Sequence, residues 1–191
     1  MAEETFTREQ LVTLLVSSAL GVLFGAGWWF AGATTIPDAT AVLRGLDVAV
    51  VLAFTAWVVL IGRRLPELPV GAGGGRSPFS RRYGITVVAM VAAIVAGARV
   101  LESVLHKPAA VPAWVLLCVG LHFLPFVGIF GSRRFLPLAL GLTAIAVLAV
   151  VLGAAGQSWA WLALPSFGGA LTLWAAAAAG LLSAARPATV R

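Results

Sequence analysis

The sequence has little of what a protein shows to water. Asp, Glu, Lys and Arg together make up 10% of its 191 residues, and there are two histidines, one tyrosine and one cysteine. Lysine occurs once, as Lys107. A soluble domain carries about 25% charged residues, so a globule that covers itself with polar groups is excluded. The lone Cys118 excludes an intrachain disulfide. Within an apolar run it reads as a small, inert hydrophobe.

Catalytic patterns are missing as well. There is no His-Glu-x-x-His pair for an intramembrane zinc protease and no Gly-x-Ser-x-Gly elbow. The glycine run at 71–75 lacks the Gly-Lys-Ser/Thr ending of a phosphate loop. Ser166 lies in a suggestive bend without an evident paired base. Glu102, His106 and His122 are acceptable ligand types for a metal, but two histidines cannot serve several haems. Neither metal nor cofactor is expected, and an enzyme is the less favoured class.

Apolar residues are abundant instead: 61% of the chain, with a mean hydropathy of +1.02. Disorder needs the opposite composition. A helix crosses about 30 Å of hydrocarbon with roughly 20 apolar residues. Six runs meet that length: 10–33, 39–62, 83–105, 111–130, 135–153 and 158–185. They are continuous rather than alternating, which argues for helices and against barrel strands. A helix also satisfies its own backbone in lipid. The fold class expected is therefore all-α: a polytopic transmembrane bundle of six spans, forming one integral membrane domain over 1–191. Residues 63–82, rich in glycine and proline, read as a flexible loop.

The net charge of +6 is distributed unevenly. Numbering the gaps between spans alternately gives one side Arg8, Arg63, Arg64, Arg76, Arg81, Arg82, Arg133, Arg134, Arg186 and Arg191. The other side receives Arg44, Arg99 and Lys107. Basic residues favour cytoplasmic loops, so both termini are expected in the cytoplasm, in a plasma or inner membrane. The arginine-heavy usage hints at a GC-rich bacterial genome. The charge calls for anionic lipid rather than nucleic acid. Trp28, Trp29, Trp114, Trp159 and Trp161 fall at outer span ends, where indoles sit at headgroup level. Ala31-Gly32-Ala33 resembles a signal-peptidase site. Glu3, Glu4 and Glu9 against one Arg8 deny it a basic leader, so the first span is expected to stay.

Small residues mark helix contacts in lipid. Ser17, Gly21 and Gly25 recur every fourth residue in the first span. Gly168, Thr172, Ala176 and Gly180 do so in the last. These faces serve either packing within the chain, a homodimer or another membrane subunit. Pro165, with Gly168 and Gly169, breaks the last span by removing a backbone donor. The break is either a kink or one wall of a substrate site. Pro125 interrupts the fourth span, while Pro137 suits a first turn.

Ionisable residues within spans are costly and favour the bundle interior. Arg44 and Asp47 are three apart in the second span. Arg99, Glu102 and His106 are spaced three and four apart in the third and are expected on one face. The two sets are expected to form one charge cluster in the outer half of the bundle, with His122 deeper in the fourth span. His122 serves either an interhelical hydrogen bond or a ligand and proton site.

Two function classes follow. One is a small transport or ligand-binding component whose site is Arg44, Asp47, Arg99, Glu102, His106 and His122. By size and span count the chain is similar to the substrate-binding subunits of energy-coupling-factor vitamin importers, a likeness of architecture carried by no motif. The other is a structural or accessory subunit with no ligand of its own.

Overall fold

The computed structural model describes residues 7–69 and 80–185. These are helical almost throughout, and among them there is no strand. Six helices are long and apolar enough to cross a membrane. They are α1 (Arg8–Ala33), α2 (Thr40–Gly62), α3 (Arg81–Val104), α4 (Val111–Ile129), α5 (Phe135–Ala154) and α6 (Ala160–Ala185). The ends fall close to those expected from the apolar runs.

Local chemistry sets these ends. Thr7 accepts a hydrogen bond from the Gln10 amide while the Gln10 side chain accepts one from the Thr7 amide, a reciprocal cap that starts α1. The Ser80 hydroxyl accepts from the Tyr83 amide at 3.3 Å and starts α3. Pro37 and Pro108 open short 3-10 turns just before α2 and α4. At the other ends the chain turns through left-handed backbone at His106 (φ 52°), Gly131 (φ 62°) and Gly156 (φ 93°).

Two helices contain π turns. In α3 the turn spans Val100–Val104, and the Leu105 amide donates to the Val100 carbonyl at 2.9 Å. In α6 it spans Leu164–Gly168. The expected break at Pro165 is thus a widened turn within a continuous helix. Widening absorbs the donor that proline lacks. Gly168 and Gly169 then permit close approach: a Cβ at Gly168 would lie 2.8 Å from Ile145, and one at Gly169 2.9 Å from Leu116.

The packing order differs from the chain order. α1 packs on α6 and α2, α6 on α5, α5 on α4, and α4 on α3. In the order α2–α1–α6–α5–α4–α3 the main contacts run between neighbours, and Trp28 of α1 also reaches the cluster around Leu116 of α4. Leu116, Leu142, Ala146 and Leu173 fill that middle where α4, α5 and α6 converge. Leu11, Leu15, Ile61 and Leu181 close one end of the α1, α2 and α6 group. At this end the helix termini carry Arg8, Arg63, Arg64, Arg81, Arg82, Arg133 and Arg134. The opposite end carries Arg44, Arg99 and Lys107.

Part of the segment expected to be a flexible loop is docked. Leu65–Glu67 form a 3-10 turn, Leu65 and Leu68 pack against the Leu11 cluster, and the Arg8 amide donates to the Pro69 carbonyl at 3.1 Å. The glycine run at 71–75 and Arg76, Arg186 and Arg191 lie outside the described residues.

Lipid tails are as apolar as leucine, so leucine burial alone does not join helices in a bilayer; close packing and hydrogen bonds do. Here indoles laid over glycines supply both. Trp174 of α6 covers Gly25 of α1 and donates to the Val22 carbonyl at 3.2 Å. Trp114 of α4 covers Gly97 of α3 and donates to the Ala93 carbonyl at 3.0 Å. Trp161 of α6 lies over Gly153 of α5. A side chain on any of these glycines would collide with the ring.

Candidate functional site

The structure does not assemble the six ionisable residues into one cluster. Arg44 and Asp47 lie on α2 at one flank of the packing order, and Arg99 and Glu102 on α3 at the other. His106 leaves the helix altogether. Its positive φ terminates α3, a backbone role that histidine fills more often than most residues. The Lys107 amide then reaches back to the Leu101 carbonyl at 2.7 Å. The π turn further unsettles the expected shared face, because the three-and-four spacing aligns side chains only on a regular α-helix. Arg99, Glu102, His106 and Lys107 are all exposed.

His122 also lies elsewhere. It is eleven residues from the start of α4 and seven from its end, so it belongs to the arginine-rich half. Its Nδ1 lies 2.7 Å from the Val119 carbonyl of its own helix. A carbonyl only accepts, so Nδ1 carries the hydrogen in this contact. Aromatic rings surround it: Phe123 at 4.3 Å and Phe126 at 4.7 Å between centroids. Phe126 in turn meets Tyr83, Phe130 and Phe135. This ring cluster joins the ends of α3, α4 and α5. It escapes a reading of the sequence because its members come from three separated segments. Their common position at one end of their spans was the available signal.

The Arg44–Asp47 pair is the most unusual feature of the helix interfaces. Asp47 is 6% exposed, and it and Ile61 are the only described residues of α2 that are buried. Its Oδ1 is enclosed without a hydrogen-bond partner, as is the Nε of Arg44. The Arg44 guanidinium lies instead over the Phe30 ring of α1, 4.1 Å from its centroid, a cation–π contact. One turn before Asp47, the Leu43 carbonyl accepts a hydrogen bond from Trp29 Nε1 at 2.8 Å. Trp29 also meets Phe167 at 4.9 Å and Trp174 at 5.3 Å. Asp47 therefore sits in the seam between α2 and α1, just beyond this ring group. The third enclosed polar atom without a partner is the Ser166 Oγ in the π turn of α6. Ser166 is fully buried, and a Cβ on Gly32 of α1 would lie 2.7 Å from its Cβ.

The small-residue stripes divide. Gly21 and Gly25 face α6, with a Gly21 Cβ 3.7 Å from the Leu173 carbonyl. A Cβ on Gly180 would lie 3.5 Å from the Ser18 hydroxyl. Ser17 is exposed, its hydroxyl donating to the Leu14 carbonyl, and Ser18 takes the interface instead. Thr172 turns toward α5, where a Gly141 Cβ would approach it at 3.0 Å, and Ala176 is half-buried. A helix has 3.6 residues per turn, so a stripe of fours drifts off the contact line.

A shallow, open apolar depression lies along α3, lined by Arg81, Gly84, Ile85, Val88 and Ala89, and contains none of the six. Among the described residues no three His, Cys, Asp or Glu side chains gather as a metal site. Cys118 is buried in α4. Among the expected belt tryptophans, Trp159 stays exposed at 53% beside Gln157, whereas Trp29, Trp114 and Trp161 engage neighbouring helices. No protein-family model, no curated protein and no solved structure matches the chain, so its likeness to vitamin-importer subunits remains one of size and span count.

Proposed function

We propose that this chain is a multi-pass integral membrane protein of the cell membrane, with its arginine-rich end in the cytoplasm, and that it works as an accessory subunit assembling sideways through α3. The observation that carries this reading is the state of α3. It is long enough to span a bilayer, yet none of its residues is buried. It rests on α4, while Arg99 and Glu102 stand exposed without an ion-pair partner among the described residues. Ionisable groups near a bilayer usually acquire one. A neighbouring membrane protein, either a second copy or a different subunit, supplies the missing packing.

Cysteine crosslinking tests it. Cys118 is replaced by Ala, and Val88, 68% exposed on the open face of α3, is changed to Cys. Crosslinking in native membranes is expected to give one discrete adduct, its mass distinguishing a second copy from another subunit. A monomer after crosslinking, and again by native mass spectrometry in mild detergent, refutes assembly through α3.

The transport or ligand-binding reading keeps one specific support, the buried and unpartnered Arg44 and Asp47 atoms. The Phe123 and Phe126 rings packed on His122 do not favour a central substrate cavity there.

A further inference from the structure

A carboxyl group enclosed by helices needs a use or a partner. Asp47 has no partner at Oδ1. The elements packed against α2 offer it no charge. In α1 the ionisable residues are Arg8 and Glu9, at the opposite end of the helix. α6 contains none from Ala160 to Ala185. Asp38, in the turn before α2, is exposed. Arg44 is the one cation within reach among the described residues, three positions away on the same helix, and it is held over Phe30 instead of on the carboxyl. This is the reverse of what a structural ion pair does.

The seam also limits what Asp47 can bind. Its Oδ1 is enclosed by protein atoms, which leaves no room at that oxygen for an organic ligand. A metal ion needs several oxygen ligands, and among the described residues no three His, Cys, Asp or Glu side chains gather here. A proton needs neither space nor further ligands. It turns an anion, costly to bury without a partner, into a neutral group that the seam tolerates.

We propose that Asp47 is a proton-binding site in the α1–α2 seam, and that Arg44 takes the proton's place when it leaves. With the proton on, Asp47 is a neutral acid and the guanidinium rests on Phe30, as observed. When the proton passes to water at the near end of α2, the new carboxylate draws the guanidinium off the ring into an ion pair. Asp47 lies seven residues into α2, a depth of about 10 Å, and Arg44 stands between it and that end. The inference does not depend on assembly through α3.

The test uses the full chain in liposomes and dicyclohexylcarbodiimide, which reacts with protonated carboxyls in apolar surroundings. The acid proton moves to a carbodiimide nitrogen, the carboxylate oxygen adds to the central carbon, and acyl transfer leaves a stable N-acylurea. Peptide mass spectrometry reads the labelled residue across a pH series. Label is expected on Asp47 and not on the exposed Asp38 in the turn before α2, falling about tenfold per pH unit above its midpoint. Arg44→Gln removes the replacement cation, so labelling should persist about one pH unit higher or more. Phe30→Leu frees the guanidinium for the carboxylate, so the midpoint should move lower. Phe30 is 49% exposed, so its loss leaves no internal void. No label on Asp47, label independent of pH, or a midpoint that neither variant moves would overturn the proposal.

Discussion

Two helix pairs in this protein use the same lock to different depth. In both α1–α6 and α3–α4, an indole lies over a glycine and donates to a carbonyl one turn earlier. Around Trp174 the lock is enclosed: Val22 and Ala177 are buried beside it, and Trp29, Val50, Val51 and Phe54 pack against them. Around Trp114 it stands nearly alone, because α3 has no buried residue. A lock fixes where two helices touch; only the surrounding packing determines how much holds them together. In lipid this distinction is sharper than in water, since the solvent does not push apolar faces together.

Breaking the two locks should expose that difference. Trp174→Ala is expected to cost the most, about 3–5 kcal/mol, the range for emptying an aromatic site in a packed interior. It also removes the second hydrogen bond on the Val22 carbonyl, which keeps its bond within α1. Unfolding in mild detergent, followed by circular dichroism against denaturant, reads the loss. If Trp174→Ala unfolds like the parent, the enclosed seam is not what holds α1 to α6.

Glycine substitution sharpens the comparison at smaller scale. Gly25→Leu drives a side chain into the Trp174 ring and should cost about 1–3 kcal/mol. Gly84 lies on α3, where a Cβ would meet nothing within 4 Å. Gly84→Leu should therefore stay within about 0.5 kcal/mol of the parent. Equal effects at both glycines would erase the contrast. The weaker of the two tryptophan losses is expected from Trp114→Ala, about 1 kcal/mol, set by one lost hydrogen bond. That variant should instead loosen α3 alone, seen as faster amide exchange in Arg81–Val104 with the other helices unchanged.

Some of this was legible in the sequence, and the division has a physical basis. The length of an apolar run is a local property, so the six helices and their ends could be read directly. Pro137 lies in the first turn of α5 for the same reason. The order in which helices pack depends on small differences between many apolar faces, and no local pattern records it. Arg44 and Asp47 could therefore be paired by spacing with Arg99 and Glu102, although the bundle holds them on different flanks. His106 misled for another reason: its side-chain chemistry suggested a ligand, while its place in the chain is explained by its backbone. Asp47 could be singled out from sequence as an acid in a span. Its separation from Arg44 could not, because the competing contact comes from Phe30 on another helix.

The packing order has one further consequence, for chain reach. Pro69 is tied beneath the start of α1, and α3 begins at Arg81 beside α4. Four helix contacts separate α1 from α3. At about 8–10 Å each, a straight file would be roughly 32–40 Å wide. Residues 70–80 can stretch over roughly 36–40 Å at most. A chain of that length could just reach across the file even if the file were straight. Covalent length thus sets an upper bound on the separation of the α1 and α3 starts, whatever the packing of α3.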